Sequence, residues 1–188
     1  MDHYYEKIQG WFNFQPLYYV AANIFPDGSN FLEIGSWKGA SASFMGVELI
    51  NLKKTNTKLY CIDTWEGTPG EHDTESAVIE KTLLEQFLTN TKPLNDNGLT
   101  IVPIKSKSQD CASVFQDNFF DFIYIDGSHY YEDVKQDIIK YLPKLKKDGI
   151  FAGHDWQCEE VVRAVSETLG ISNIRHIHNT WIYVGKMP

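Results

Sequence analysis

The chain has 188 residues, 43% of them hydrophobic and 22% charged, with a formal net charge of −8. That length suits one domain, residues 1–188, with a core that needs no staples. The balance is acidic, without the basic stripe that phosphate binding needs, and this argues against RNA or DNA as substrate. Lys140, Lys144, Lys146 and Lys147 read only as a solvated helix end. No apolar run would span a bilayer, and Met1-Asp2-His3-Tyr4-Tyr5-Glu6 lacks the basic and apolar regions of a signal peptide, so no membrane partner is expected. Cys61, Cys111 and Cys158 are too sparse for a disulfide framework or a zinc site, which suits a reducing cytoplasm.

In chain order, Tyr4 to Phe25 is aromatic-rich and partly helical, broken near Gly10 and Pro16. The turn Pro26-Asp27-Gly28-Ser29 leads into a strand from Asn30 to Ile34. A helix from Ala40 to Leu52 and a strand from Lys58 to Ile62 follow, then a loop from Thr64 to Thr74 and a helix from Glu75 to Leu88. A strand from Leu99 to Ile104 precedes a short helix from about Asp110 to Phe115. A strand from Phe120 to Ile125 leads to a helix from Tyr131 to Tyr141, with Val134, Ile138 and Tyr141 near one face. A strand from Gly149 to Ala152 and a helix from Glu159 to Leu169 come next. Ile174–Ile177 and Trp181–Val184 close the chain as a strand pair. Strands separated by helices imply parallel βαβ units, and the continuous apolar runs imply strands covered on both faces.

In such sheets ligands sit beyond the carboxyl ends of the strands. The first strand ends in Glu33-Ile34-Gly35-Ser36-Trp37-Lys38-Gly39-Ala40-Ser41, a turn that lets backbone N–H groups approach a ligand. It lacks the G-x-G-x-x-G spacing of a dinucleotide site, which counts against the alternative of an NAD-binding oxidoreductase. The second strand ends at Asp63, an acid able to accept hydrogen bonds from both ribose hydroxyls, or else a turn cap. After the third strand Ser108 and Gln109 could bond an adenine edge, or open a helix. The fourth strand ends in Asp126-Gly127-Ser128-His129 and the fifth in Gly153-His154-Asp155.

This set of strand tips resembles the class I methyltransferases that use S-adenosylmethionine (SAM), from about Asn30 to Trp156. The nearest groups are the catechol, caffeoyl-CoA and macrocin-type small-molecule O-methyltransferases and the cephalosporin-hydroxylase-like proteins. The resemblance implies an α/β, Rossmann-like fold: a mostly parallel seven-stranded sheet flanked by helices, with an antiparallel last strand. It implies a cofactor site of Glu33, Gly35, Ser36, Trp37, Gly39 and Ser41 around the methionine part, Asp63 on the ribose, Thr64 and Trp65 in the adenosine loop, and Ser108, Gln109 and Asp110 on the adenine. Asp126 falls on a metal-binding and catalytic position, His129 on that of the catalytic base, and His154 and Asp155 on a second metal pair.

Metal-dependent relatives use Mg2+, which prefers oxygen ligands; Asp126 and Asp155 suit it, and His154 departs from the pattern. The alternative is no metal, with Asp126 on the SAM ammonium and Asp155 capping the next helix. The implied reaction is in-line methyl transfer to a hydroxyl of a small acceptor, a sugar or natural product. An unperturbed histidine pKa near ~6.5 would let His129 accept the proton at neutral pH. A non-catalytic SAM-binding subunit is the other alternative, weakened by the retention of Asp126, His129 and Asp155. The aromatic residues within segment 1–28 are read as an acceptor lid, a helix packed on the sheet edge, or a homodimer contact. The loop carrying His72 covers the adenosine, lines the acceptor pocket, or is exposed. His176 and His178 read as packing or surface, and His3 as solvated.

Overall fold

The computed structural model describes residues 1–185. Seven strands form one sheet: β1 (Asn30–Ile34), β2 (Lys58–Asp63), β3 (Thr100–Lys105), β4 (Phe120–Ile125), β5 (Leu145–Gly153), β6 (Ile174–Ile177) and β7 (Thr180–Tyr183). Their order across the sheet is β3-β2-β1-β4-β5-β7-β6. The pairings from β3 to β5 are parallel, and β7 runs antiparallel to both its neighbours. The helices are α1 (Gln15–Ile24), α2 (Ala40–Asn51), α3 (Ser76–Ile79), α4 (Leu83–Asp96), α5 (Ser108–Cys111), α6 (Tyr131–Tyr141) and α7 (Glu159–Leu169).

Side chains on a strand alternate between faces, and here both faces are buried. Phe31, Phe122 and Tyr124 join a core with Tyr18 of α1, Met45 of α2 and Phe87 of α4. Leu32, Ile123 and Ile125 join a second core with Ile138 of α6 and Val165 of α7. Helices therefore cover both sides, and the strand order reverses between β1 and β4. That reversal leaves a crevice at the carboxyl ends of the strands.

Several elements differ from the sequence reading. The stretch 75–88 is not one helix: Lys81 takes a left-handed φ of 56°, so α3 ends and α4 begins anew. The second helix runs on to Asp96 through Pro93, because Phe87, Thr91 and Leu94 continue a buried stripe. Near Asp110–Phe115 the α-helix starts two residues earlier, at Ser108, and gives way to a 3-10 turn at Ala112–Val114. β5 starts at Leu145 rather than Gly149, with a register irregularity against β4. Among the described residues no helix is long and apolar enough to cross a membrane.

Candidate active site

A cleft of about 1240 Å³ lies at the strand tips. Every parallel strand supplies part of its wall: Gly35 and Ser36 after β1, Asp63 and Thr64 at the end of β2, Ser108 and Gln109 after β3, Asp126 and His129 after β4, and His154 and Asp155 after β5. Trp37 and Ser41 also line it. Glu33, Gly39 and Trp65 do not.

Glu33 shares its strand face with Phe31, the face that α1 and α2 cover. Its carboxylate accepts from Tyr18 Oη at 2.7 Å and Ser41 Oγ at 2.9 Å. Burial lifts its pKa to about 7, with those two hydrogen bonds pulling the other way. Glu33 thus braces the floor beneath the Gly35 turn. Trp65 also turns inward: its Nε1–H donates to the Trp37 carbonyl at 2.8 Å, and its ring packs on Phe87.

The turn itself requires glycine. Gly35 has a φ of 87°, and a Cβ there would sit 1.9 Å from the Asp126 carbonyl oxygen. Gly39, at φ 86°, ends the turn as the N-cap of α2. Asp63 ties this turn to its own loop: Oδ2 accepts from Trp37 N at 2.9 Å and Oδ1 from Trp65 N at 2.7 Å. Burial raises its pKa, while these backbone bonds oppose the rise. A carboxylate has about four lone-pair sites, so acceptors remain on Asp63 for a ligand's hydroxyls.

On the β3 side an acid that sequence reasoning missed completes the wall. Asp137 of α6 is buried, and its Oδ1 accepts from Ser108 Oγ and, at 3.1 Å, from Gln109 Nε2. Burial raises its pKa to about 7. The available signal was an acid on the apolar stripe of α6, between Val134 and Ile138 and Tyr141, where an unpartnered charge is costly.

Across the cleft, acids and imidazoles interlock. His129 places Nδ1 2.9 Å from Glu71 Oε2 and Nε2 2.8 Å from Asp155 Oδ2. His154 Nδ1 lies 3.2 Å from Asp155 Oδ1 and 3.4 Å from Asp126 Oδ1, and its Nε2 meets Asn13 Oδ1 at 2.8 Å. The hydrogen bond to Asp155 lifts the His129 pKa to about 9, so the expectation of an ordinary imidazole is corrected. Burial alone would lower His154, but its bonds to Asp126 and Asp155 outweigh this and raise it to about 10. Burial also works against an ionised Asp155, yet the two histidines hold its carboxyl well below the usual range. Asp126 is pushed up by burial, partly offset by His154.

Asp155 has a left-handed φ of 60°, a strain of about 1–3 kcal/mol for a non-glycine residue. That backbone aims its carboxylate at both histidines. It does not cap α7, which has no side-chain cap. Asp126, His154 and Asp155 bring three potential ligand atoms within 4.8 Å of one another. Glu71, Asn13 and Asp137 are among the residues at this site that strand-tip motifs did not single out. Each arrives from a separate loop or helix.

The sheet order, the glycine turn and the acid ending β2 define the class of the fold, Rossmann-like and of the methyltransferase type. Residues 32–156 match the sequence model of the family described as "Methyltransferase domain", and the chain belongs to that family.

A curated relative from Sinorhizobium fredii, the uncharacterized protein y4gI, is 22% identical over 130 residues, 69% of this chain. The chain spans 13% of that relative's length. Among solved structures, the O-methyltransferase NovP superposes with a TM-score of 0.67 at 14% identity, over 90% of this chain and 78% of its own. CalS11, a TDP-rhamnose 3'-O-methyltransferase of calicheamicin biosynthesis, superposes with a TM-score of 0.62 at 16% identity, over 92% and 77%. A SAM-dependent O-methyltransferase from Thermotoga maritima gives 0.55 at 14% identity, over 86% and 52%. At these identities the structural likeness is one of fold.

Proposed function

We propose that this protein transfers the methyl group of SAM to a hydroxyl oxygen of a small hydroxylated acceptor, a sugar or natural product, with His129 as general base. The observation that carries this reading is the shared cleft: the Gly35 turn and Asp63 open onto the same space as His129 and its two carboxylates. The O-methyltransferase titles of NovP and CalS11 support oxygen as the methyl acceptor, and the TDP-rhamnose of CalS11 supports a sugar.

Methyl transfer needs the acceptor oxygen in line with the sulfonium at roughly 3–3.5 Å. In this reading the Gly35–Ser36 backbone holds the methionine part of the cofactor and Asp63 the ribose. Glu71 holds the His129 ring by Nδ1; when the hydroxyl takes the place of Asp155, the bond that chiefly raises the His129 pKa is lost, the ring releases its Nε2 proton to solvent, and Nε2 can then accept the acceptor's proton. The strap from Gly10 to Phe14 lines the cleft, and Trp11 packs on Trp37 and His72 at ring distances of 5.6 and 5.5 Å. We assign this strap as the acceptor lid.

Asp126, Asp155 and His154 fit a divalent cation: two carboxylates and one imidazole nitrogen converge. Mg2+ prefers an all-oxygen shell, whereas the nitrogen suits ions such as Mn2+ or Co2+. Bound there, a cation would supply Lewis acidity that lowers the hydroxyl's pKa and orients it.

Labelled SAM incubated with glycosides, nucleotide sugars and catechols, with and without Mg2+ or Mn2+, tests the reading. A methyl ether in the product, identified by mass spectrometry, is the expected result. Tight binding of S-adenosylhomocysteine (SAH) with no methyl transfer to any acceptor class would overturn it in favour of a non-catalytic SAM-binding module.

A further inference from the structure

The adenine-side wall has a hydrogen-bond polarity that can be counted atom by atom. Ser108 has one hydroxyl hydrogen, and it goes to Asp137 Oδ1. Gln109 has two amide hydrogens on Nε2. One faces Asp137 Oδ1 at 3.1 Å and the other the Asp133 carbonyl oxygen at 3.4 Å. The opposite orientation of the Gln109 amide would set its oxygen against a carboxylate and a carbonyl, so the acceptors around it fix the orientation. The side-chain donors of both residues are therefore spent on α6. Ser108 Oγ lone pairs and Gln109 Oε1 are what these two side chains have left to offer. Both residues line the cleft, beside Asp137 itself.

We infer that Asp137 is a positioning residue that turns Ser108 and Gln109 into acceptors and thereby selects a 6-amino purine over a 6-oxo purine in the cofactor. The inference rests on the reading that SAM occupies this cleft with its base against α5. Adenine brings N6–H donors to such a wall. Hypoxanthine brings O6, an acceptor that would face acceptors and lose its partner. One buried polar group left unpaired in this way corresponds to about a 10- to 100-fold loss of affinity.

The test is calorimetric titration of the full chain with SAH and with its 6-oxo analogue, S-inosylhomocysteine. Both are measured at pH 8.5, above the value of about 7 to which burial lifts Asp137, so that the carboxylate is acceptor-only. The wild type prefers SAH by about 10- to 100-fold. Asp137→Leu keeps the size but removes the acceptor of both bonds, which frees Ser108 to present its hydrogen to the base. The preference then narrows to within roughly fivefold. Ser108→Ala removes one acceptor and leaves Asp137 in place, so it narrows the preference several-fold even if Asp137→Leu fails to fold.

Equal binding of the two compounds by the wild type, or an undiminished preference in folded Asp137→Leu, overturns the inference while leaving the methyltransferase reading intact. Absence of SAH binding by the wild type overturns that reading itself.

Discussion

On the wall built by β1 and β2, Asp63 is held by the backbone N–H groups of Trp37 and Trp65. On the wall built by β4 and β5, Asp155 is held by the rings of His129 and His154. Backbone donors cannot leave without unfolding the turn that carries them. Imidazoles can exchange partners by a rotation or a proton transfer. The first wall is thus fixed in shape, as the proposed cofactor site requires, and the second can rearrange its protons and partners, as the proposed chemistry requires.

The largest effect should come from disturbing the fixed wall. Gly35→Ala places a methyl against the Asp126 carbonyl and forces a left-handed φ, and we expect a loss of about 3 kcal/mol or more. Chemical denaturation and SAH titration measure it. Unchanged stability and binding would show that the turn is not rigid. The rearrangeable wall should behave differently. His129→Ala should lower kcat by about 10²–10⁴-fold and leave SAH affinity where it was. A loss of SAH affinity matching the loss of rate would mean that the two walls are not separate.

The smallest effect concerns the floor. Glu33 titrates at about 7 in the fold against an ordinary value of 4.5, so the folded state binds its proton more tightly. That contribution to stability is complete below the unfolded value and is lost as pH rises through 7. Glu33→Gln, which stays neutral, should therefore gain roughly 1–3 kcal/mol over the wild type at pH 8 and nothing at pH 4. Urea melts at the two pH values decide it, and a gain independent of pH would contradict the assignment.

The same contrast marks what the sequence made legible. The fixed wall follows local rules: apolar runs for strands, glycines where φ is positive, an acid closing β2. Those rules located Gly35, Gly39 and Asp63 and the parallel sheet. They also located Asp126, His129, His154 and Asp155, because these directly follow strands. What local rules could not supply were partners brought by tertiary packing. Glu71 reaches His129 from a loop 58 positions earlier, and Asn13 reaches His154 across 141 positions. The raised pKa of His129 depends on those neighbours, so the residue type alone suggested an ordinary imidazole. The motif resemblance puts Glu33 and Trp65 with the cofactor, whereas in the structure Glu33 bonds Tyr18 and Ser41, Trp65 packs on Phe87, and neither lines the cleft.

The central claim is that the tips of β1, β2 and β4 enclose one SAM site. A crystal structure of the SAH complex measures this most directly. The account predicts ribose hydroxyls on the Asp63 carboxylate, the amino-acid part over Gly35 and Ser36, and the sulfur facing His129. SAH bound away from these residues, with Asp63 and His129 opening onto different ligands, would contradict it.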